Sequence, residues 1–357
     1  MKRKVIALVL TIALLAVSMF GCGSNDNYFS ELERTIKHVG STTESIIKIK
    51  IPKEAFVDGT TSMPVDVSNG LNATLRVVTM SDTDGNGACD IEVMMNGQDE
   101  YAKLTSIVKY GKYLYVQTDS ILSFISQMGL DPKGETAAQF KQFGIEKAAK
   151  VDIKQACRIL EIDYDEDTFN LEKHKADLAN YVGDMVDILD DYFENLTSKD
   201  GRDYILKVDR SNATTAIDDA INFIDNGLKD AYDETYDLVK EMGGEKSAKD
   251  FPKYAEVKEN AKESKAELKE GKKDASKNIG DCVFTSRVNS KEKKITFGIE
   301  NYPIEGDWTV SIMVDTRNRE DDHVIKDLIP SDAVDVTALL KEMKQMAEQN
   351  NANMSQY

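Results

Sequence analysis

The chain has 357 residues, 41% apolar and 30% charged, a globular composition long enough to bury a sizeable core, which excludes overall disorder. Six prolines and 21 glycines exclude collagen-like or low-complexity character, and four cysteines are too few for a disulfide-built scaffold. A formal charge of −18 repels nucleic-acid phosphates and anionic lipid surfaces, which argues against any nucleic-acid partner.

Met1 to Lys4 is basic, and Val5 to Phe20 is uncharged and almost wholly apolar. This is the layout of a secretory signal peptide over residues 1–21. No basic stop-transfer flank follows, so retention as a transmembrane anchor is the lesser alternative. The pentapeptide SMFGC, Ser18 to Cys22, resembles the lipobox of bacterial lipoproteins, with Met19 in place of the usual Leu and Phe20 in place of a small residue. The resemblance implies that Cys22 is diacylated and becomes the mature N-terminus, with 22–28 as a tether. The protein would then sit on the extracytoplasmic face of the cell membrane, its membrane partner reached through the lipid anchor. Ala16-Val17-Ser18 is a competing site for ordinary signal peptidase. Cys89, Cys157 and Cys282 remain, enough for one disulfide at most; Cys157 and Cys282 read as small hydrophobes, and no pair has CxxC spacing.

Asn25 to Gly40 reads as a short amphipathic helix, with Phe29, Leu32, Ile36 and Val39 at helical spacing. Alternation then predicts strands at 45–51, 73–80, 88–95, 101–110 and 113–118, joined by short turns into an antiparallel meander. In the first turn Asp82, Asp84, Asn86 and Asp90 place oxygens at alternate positions, as in the first half of an EF-hand-like loop. The twelfth position is Val93, Glu92 comes one place early, and the flanks read as strands. A polar hairpin turn with positive φ at Asn86-Gly87 is the simpler reading; weak calcium, with a Kd of about 10⁻⁴ to 10⁻³ M, is the second.

From Asp119 the period changes to about 3.6. Ile121, Leu122, Ile125 and Met128 mark a short helix, and 137–160 gives one or two more. Leu178, Tyr181, Val182, Met185, Leu189, Tyr192, Phe193 and Leu196 form a clear stripe. Tyr204 to Val208 is a strand, and a helix from Thr214 runs to Met242, where Gly243-Gly244 ends it. Lys253 to Lys277 is dense in Lys and Glu and is the weakest candidate for core. A second meander follows at 282–288, 294–299 and 308–314, and Pro330-Ser331-Asp332 caps a final helix over 334–349, leaving 350–357 as a frayed tail.

The expected fold is α+β: both meanders join one extended, curved antiparallel sheet with helices packed on one face. It forms a single domain over 29–349, or two intimately joined lobes, with a helical middle at about 119–277 and one strand near 203–209. The KYGKYLYVQTDS motif at 109–120 and IPSDAVDVTALL at 329–340, together with the lipobox, resemble the LolA/LppX-like folds of extracytoplasmic lipoproteins. That resemblance implies a sheet wrapped around helices and an apolar cavity for lipid.

Chemistry-bearing motifs are sparse. His38, His174 and His323 are scattered, and HExxH, Walker, GxGxxG and GxSxG patterns do not occur. SxxK recurs at Ser45/Lys48, Ser106/Lys109 and Ser290/Lys293, each in or beside a strand instead of opening a helix. Asp163, Asp165, Glu166 and Asp167 open the following helix or line a loop. The sequence therefore points to a non-catalytic lipoprotein that binds an apolar or amphipathic, lipid-like ligand. Val108, Leu114, Val116, Phe297, Ile299 and Ile312 would line the cavity. The alternatives are an envelope docking protein without a small-molecule site and, third, a hydrolytic enzyme. No cofactor is expected beyond weak calcium, and the oligomeric state stays open.

Overall fold

The computed structural model describes residues 27–37, 41–56, 69–127, 129–131, 133–160, 171–303, 309–342 and 344. The signal peptide, Cys22, His38, the acidic cluster at 163–167, Trp308 and the C-terminal tail lie outside them. The strands are β1 (Thr42–Ile51), β2 (Leu71–Ser81), β3 (Gly87–Met94), β4 (Ala102–Tyr110), β5 (Tyr113–Gln117), β6 (Ala148–Asp152), β7 (Thr197–Asp200), β8 (Asp203–Val208), β9 (Val283–Asn289), β10 (Lys294–Pro303), β11 (Thr309–Arg319) and β12 (Ala333–Asp335). They form one mostly antiparallel sheet, in the order β12-β6-β5-β4-β3-β2-β1-β11-β10-β9-β8-β7, and with the helices make an α+β fold. The chain divides into two compact units, the first Met1–Gly40, Ser45–Ala55 and Leu171–Arg319, the second Ser41–Glu44, Phe56–Asn170 and Glu320–Tyr357.

The first unit is organised around α1 (Tyr28–Lys37), which packs against β7 to β10 and against α5 (Leu171–Phe193). Asn27 caps α1 by accepting from the Ser30 N–H at 2.9 Å and donates to the Asp190 carboxylate of α5 at 2.6 Å. Phe29 and Leu32 are fully buried, as the spacing predicts, and Tyr28 is buried with them. The opposite side is no solvent face, however, because Ser30, Glu31, Glu33 and Thr35 are buried too. Buried polar atoms of α1 find partners across the unit: the Tyr28 hydroxyl donates to Ser286 Oγ at 2.6 Å, and Glu31 accepts from the Ser290 N–H at 3.2 Å and from its hydroxyl. Burial holds the Tyr28 phenol well above its ordinary range.

The long helix predicted from Thr214 is two helices, α6 (Ala213–Asn226) and α7 (Leu228–Asp250). The break falls at Gly227, where a Cβ would stand 2.6 Å from Tyr192 Cε2 and 2.8 Å from Phe223 Cδ2, so only glycine admits this approach of α5. The apolar stripe continues through that point and hides the break. At Gly244, where the sequence ends the helix, φ is 69° and the chain reverses. The rings of Tyr232 and Phe251 stand 5.6 Å apart, whereas a straight helix would separate the two residues by about 28 Å. The Lys/Glu-rich α8 (Tyr254–Gly271) is mostly exposed, as predicted, but pins itself to the core through a fully buried Leu268; α9 (Ala275–Ile279) follows. β7 went unpredicted, since Thr-Ser-Lys-Asp has no alternation to show.

Asp190 carries an orphaned charge in this unit. Its Oδ1 is buried and has no hydrogen-bond partner among the described residues. Burial, then the charges of Glu194, Asp191 and Asp187, raise its carboxyl above the ordinary range, against the bond from Asn27. A raised folded-state value means that the native state holds the proton better, so this contribution is fully present at low pH and is lost as pH rises through the folded value. Asp190→Asn, which can still accept from Asn27, should stabilise the fold by about 1 kcal/mol at pH 7 and by little in the acid range. Urea midpoints of both proteins across pH would check the sign.

In the second unit β2 to β6 form an antiparallel meander, and α2 (Thr118–Gln127) packs against β4 and β6. The segment 137–160 holds two helices, as expected, α3 (Glu135–Gln142) and α4 (Ile153–Ile159), but the strand β6 between them is not foreseen. The final helix does not follow Asp332, because Ala333–Asp335 runs parallel to Ala148–Lys150 as β12. Helical backbone starts only at Thr337, whose N–H is capped by the Asp335 carboxylate at 3.0 Å. In both cases pairing between segments far apart in sequence overrides a local reading of short stretches.

Candidate functional site

Cross-strand partners share a face of the sheet, so the registers decide which of the six proposed lining residues can act together. In β4 and β5 Val108 opposes Tyr115, while Leu114 opposes Lys109 and Val116 opposes Ile107. Val108 therefore lies on the opposite face from Leu114 and Val116, in a small cluster with Ala88 and Ile325. In the first unit Phe297 opposes Val314 and Ile299 opposes Ile312, on one face. That face is filled: Phe297 and Ile299 are buried with Tyr28, Phe29, Leu32 and Phe284, and the Phe284 and Phe297 rings stand 4.9 Å apart. Phe297 and Ile299 are core residues of the first unit, and Ile312 is half-buried beside them.

Leu114 and Val116 belong to a different surface. Leu75 opposes Val93 and Val77 opposes Ile91 across β2 and β3, Cys89 opposes Ile107, Ile107 opposes Val116, and Leu114 opposes Val151. These residues line one side of the β2–β6 sheet. Each is only half-buried, in contrast to the closed face of the first unit. The other side holds the small buried cluster around Val108 and, beside it, an ion-pair group in which Arg76 bridges Glu44 at 2.7 Å and Glu92 at 2.9 Å. Leu75, Val77, Ile91, Val93 and Ile107 were not nominated from the sequence, although their alternation was visible.

The Asp82 to Asp90 segment is a hairpin turn. One oxygen of the Asp82 carboxylate accepts the N–H groups of Asp84 and Asn86, both at 2.9 Å, and the other accepts from the Asn86 amide at 3.0 Å. Asn86 Oδ1 accepts the Gly111 N–H at 2.9 Å, Lys109 Nζ donates to the Gly85 carbonyl at 2.5 Å, and Asp90 accepts from the Ser106 hydroxyl. The positive φ falls on Gly85, at 73°, and not on Asn86 or Gly87. Three of the four nominated oxygen donors are thus engaged, Asp82 within the hairpin and Asn86 and Asp90 by the Gly111 N–H and the Ser106 hydroxyl beyond it. No group of three or more His, Cys, Asp or Glu able to hold a metal occurs among the described residues.

The remaining motifs dissolve into structure. Ser106 and Lys109, three apart on β4, lie on opposite faces of the sheet. Ser45 meets the Thr316 hydroxyl at 3.0 Å, Ser290 serves Glu31, and His323 Nε2 meets the Thr42 hydroxyl at 2.5 Å. Cys89, Cys157 and Cys282 are free thiols, and burial pushes Cys282 up to about 11, far from the range of a reactive thiolate. No family model, no curated protein and no solved structure matches the chain.

Proposed function

We propose that the chain is a non-catalytic lipoprotein, tethered through Cys22 at the extracytoplasmic face of the cell membrane, that binds an apolar or amphipathic, lipid-like ligand on the β2–β6 sheet. One observation carries this reading: the aliphatic face from Leu75 to Val151 is half-exposed, while the comparable face of the first unit is closed by α1. Covering it would remove apolar area from water at about 25 cal/mol per Å². The resemblance of residues 109–120 and 329–340 to LolA/LppX-like lipoproteins points to the same ligand class, and the reading needs no cofactor.

The test is thermal or urea unfolding of the Cys22→Ser protein against a panel of phospholipids, fatty acids and alkyl detergents below their critical concentrations. A ligand at a hundred times its Kd should add about 2.7 kcal/mol. Absence of stabilisation across the panel would favour the envelope docking reading. That alternative draws on the exposed Leu130, Phe143, Leu160, Val324, Leu328 and Val334 of the second unit.

A further inference from the structure

The aliphatic face of the β2–β6 sheet carries a single charge. By the registers of these strands, the acids Asp90, Glu92 and Asp152 and the bases Arg76, Lys103 and Lys150 all lie on the other face, and Lys109 alone is charged on this one. It stands at the end of the face, in the row Ser81, Gly87, Lys109, Leu114 and Val151 that crosses the five strands. Gly87 leaves the place beside it without a side chain.

Lys109 is half-buried, and its ammonium donates to the Gly85 carbonyl at 2.5 Å. That bond uses one of three donors and cancels no charge. No carboxylate among the described residues pairs with it. Asp82, in the same turn as Gly85, spends its oxygens on the N–H groups of Asp84 and Asn86 and on the Asn86 amide, while Asp90 meets Ser106 and Lys103 on the other face. Asp84, exposed in the turn, makes no ion pair either. A cation drawn partly out of water without a counter-charge is costly, and an anion brought to it offsets that cost.

From this row back to Leu75 the face continues along β2 for about 20 Å without another charge. A charged end and a long aliphatic run match the head and tail of an anionic amphipath. One cation and the Ser81 hydroxyl, set among aliphatic neighbours, suit a compact carboxylate better than a phosphate that carries its own polar substituent.

We infer that Lys109 binds the carboxylate of a long-chain fatty acid whose alkyl tail lies along Leu114, Val116, Ile107, Ile91 and Val77. This names the ligand class for the face proposed above and rests on that reading, so the test separates the two. Calorimetry on the full chain carrying Cys22→Ser measures binding of myristate, of tetradecanol, which has the same chain without the charge, and of lysophosphatidylglycerol. Alkylation of Cys89 reports where they sit, because this half-buried free thiol lies on the same face opposite Ile107.

Myristate should bind about tenfold tighter than tetradecanol and should slow Cys89 alkylation. Lys109→Met, which keeps an apolar stem, should remove that advantage without weakening tetradecanol, and Lys109→Arg should restore it. The comparison of acid with alcohol needs no variant, so it decides even if Lys109→Met fails to fold. Equal affinity for the two, or an advantage that survives Lys109→Met, overturns this inference and leaves apolar binding on the face standing. Binding of none of the three ligands overturns both readings. Myristate bound with Cys89 alkylation unchanged lies elsewhere and overturns the assignment to Lys109. Lysophosphatidylglycerol bound through Lys109 while myristate is refused overturns the carboxylate in favour of a phosphate head.

Discussion

Phe29→Ala should destabilise the first unit by about 3–5 kcal/mol, the range for emptying a fully buried aromatic site. Phe29 is 0% exposed and stands edge-on to the Tyr28 ring at 5.1 Å, inside the cluster that joins α1, α5 and the sheet face of β8 to β10. Little around it can collapse into the void, because Leu32, Val186 and Val288 are also fully buried. Urea unfolding followed by circular dichroism would measure the loss, with exposed Arg34→Ala as a control expected within about 0.5 kcal/mol of the parent. A loss below about 1 kcal/mol for Phe29→Ala would mean that α1 is not the organising element. The position also matters for the tether: six residues from Cys22 to Tyr28 span at most about 20 Å, so an acylated Cys22 would hold the core close to the bilayer.

Leu268→Ala should cost about 2–5 kcal/mol, although it sits in the most highly charged stretch of the chain. Leu268 is 0% exposed, and α8 otherwise meets α6 through pairs such as Lys265 with Asp225, which are worth little at a solvated surface. Loss of this one side chain should therefore loosen α8 as a whole. Exchange protection over residues 254–271 should fall together with the melting temperature. A fall in stability without loss of protection there would place the anchor elsewhere.

The elements that the sequence makes legible are those whose period is long enough to count. The stripe that runs along α5 to Leu196 and the alternation of β2 to β5 and β9 to β11 are of this kind, and the strands' hairpin turns fix antiparallel pairing. Short elements are not legible: β6, β7 and β12 have five, four and three residues; β12 exists because the distant β6 pairs with it, and β7 is an edge strand that only the adjacent β8 pairs. Gly227 hides inside a continuous stripe because its reason is a ring of α5 across the interface. The burial of Glu31 also has no sequence signal, since Ser290, in the turn after β9, supplies the donors that make it tolerable.

The lining set was a failure of a different sort, because the information was present. The two-residue turn at Gly111-Lys112 pairs Tyr110 with Tyr113, and counting back puts Val108 opposite Tyr115 and on the wrong face for Leu114. Strand parity alone would have replaced Val108 with Ile107 and led on to Ile91 and Val77. That Phe297 and Ile299 are covered could not be read locally, since the covering helix α1 lies more than 250 residues away in the chain.

The central claim is that the Leu75 to Val151 face carries the ligand, and native mass spectrometry tests it most directly. The Cys22→Ser protein is compared with the same chain carrying Ile107→Asn and Val116→Asn, two half-buried positions where a polar side chain can be solvated. The account predicts that the parent retains a bound species, recoverable by solvent extraction as a lipid-like molecule, and that the double variant loses it while keeping its circular dichroism spectrum. A parent that carries nothing and takes up no lipid on addition, or a bound species that survives the double substitution, would contradict it.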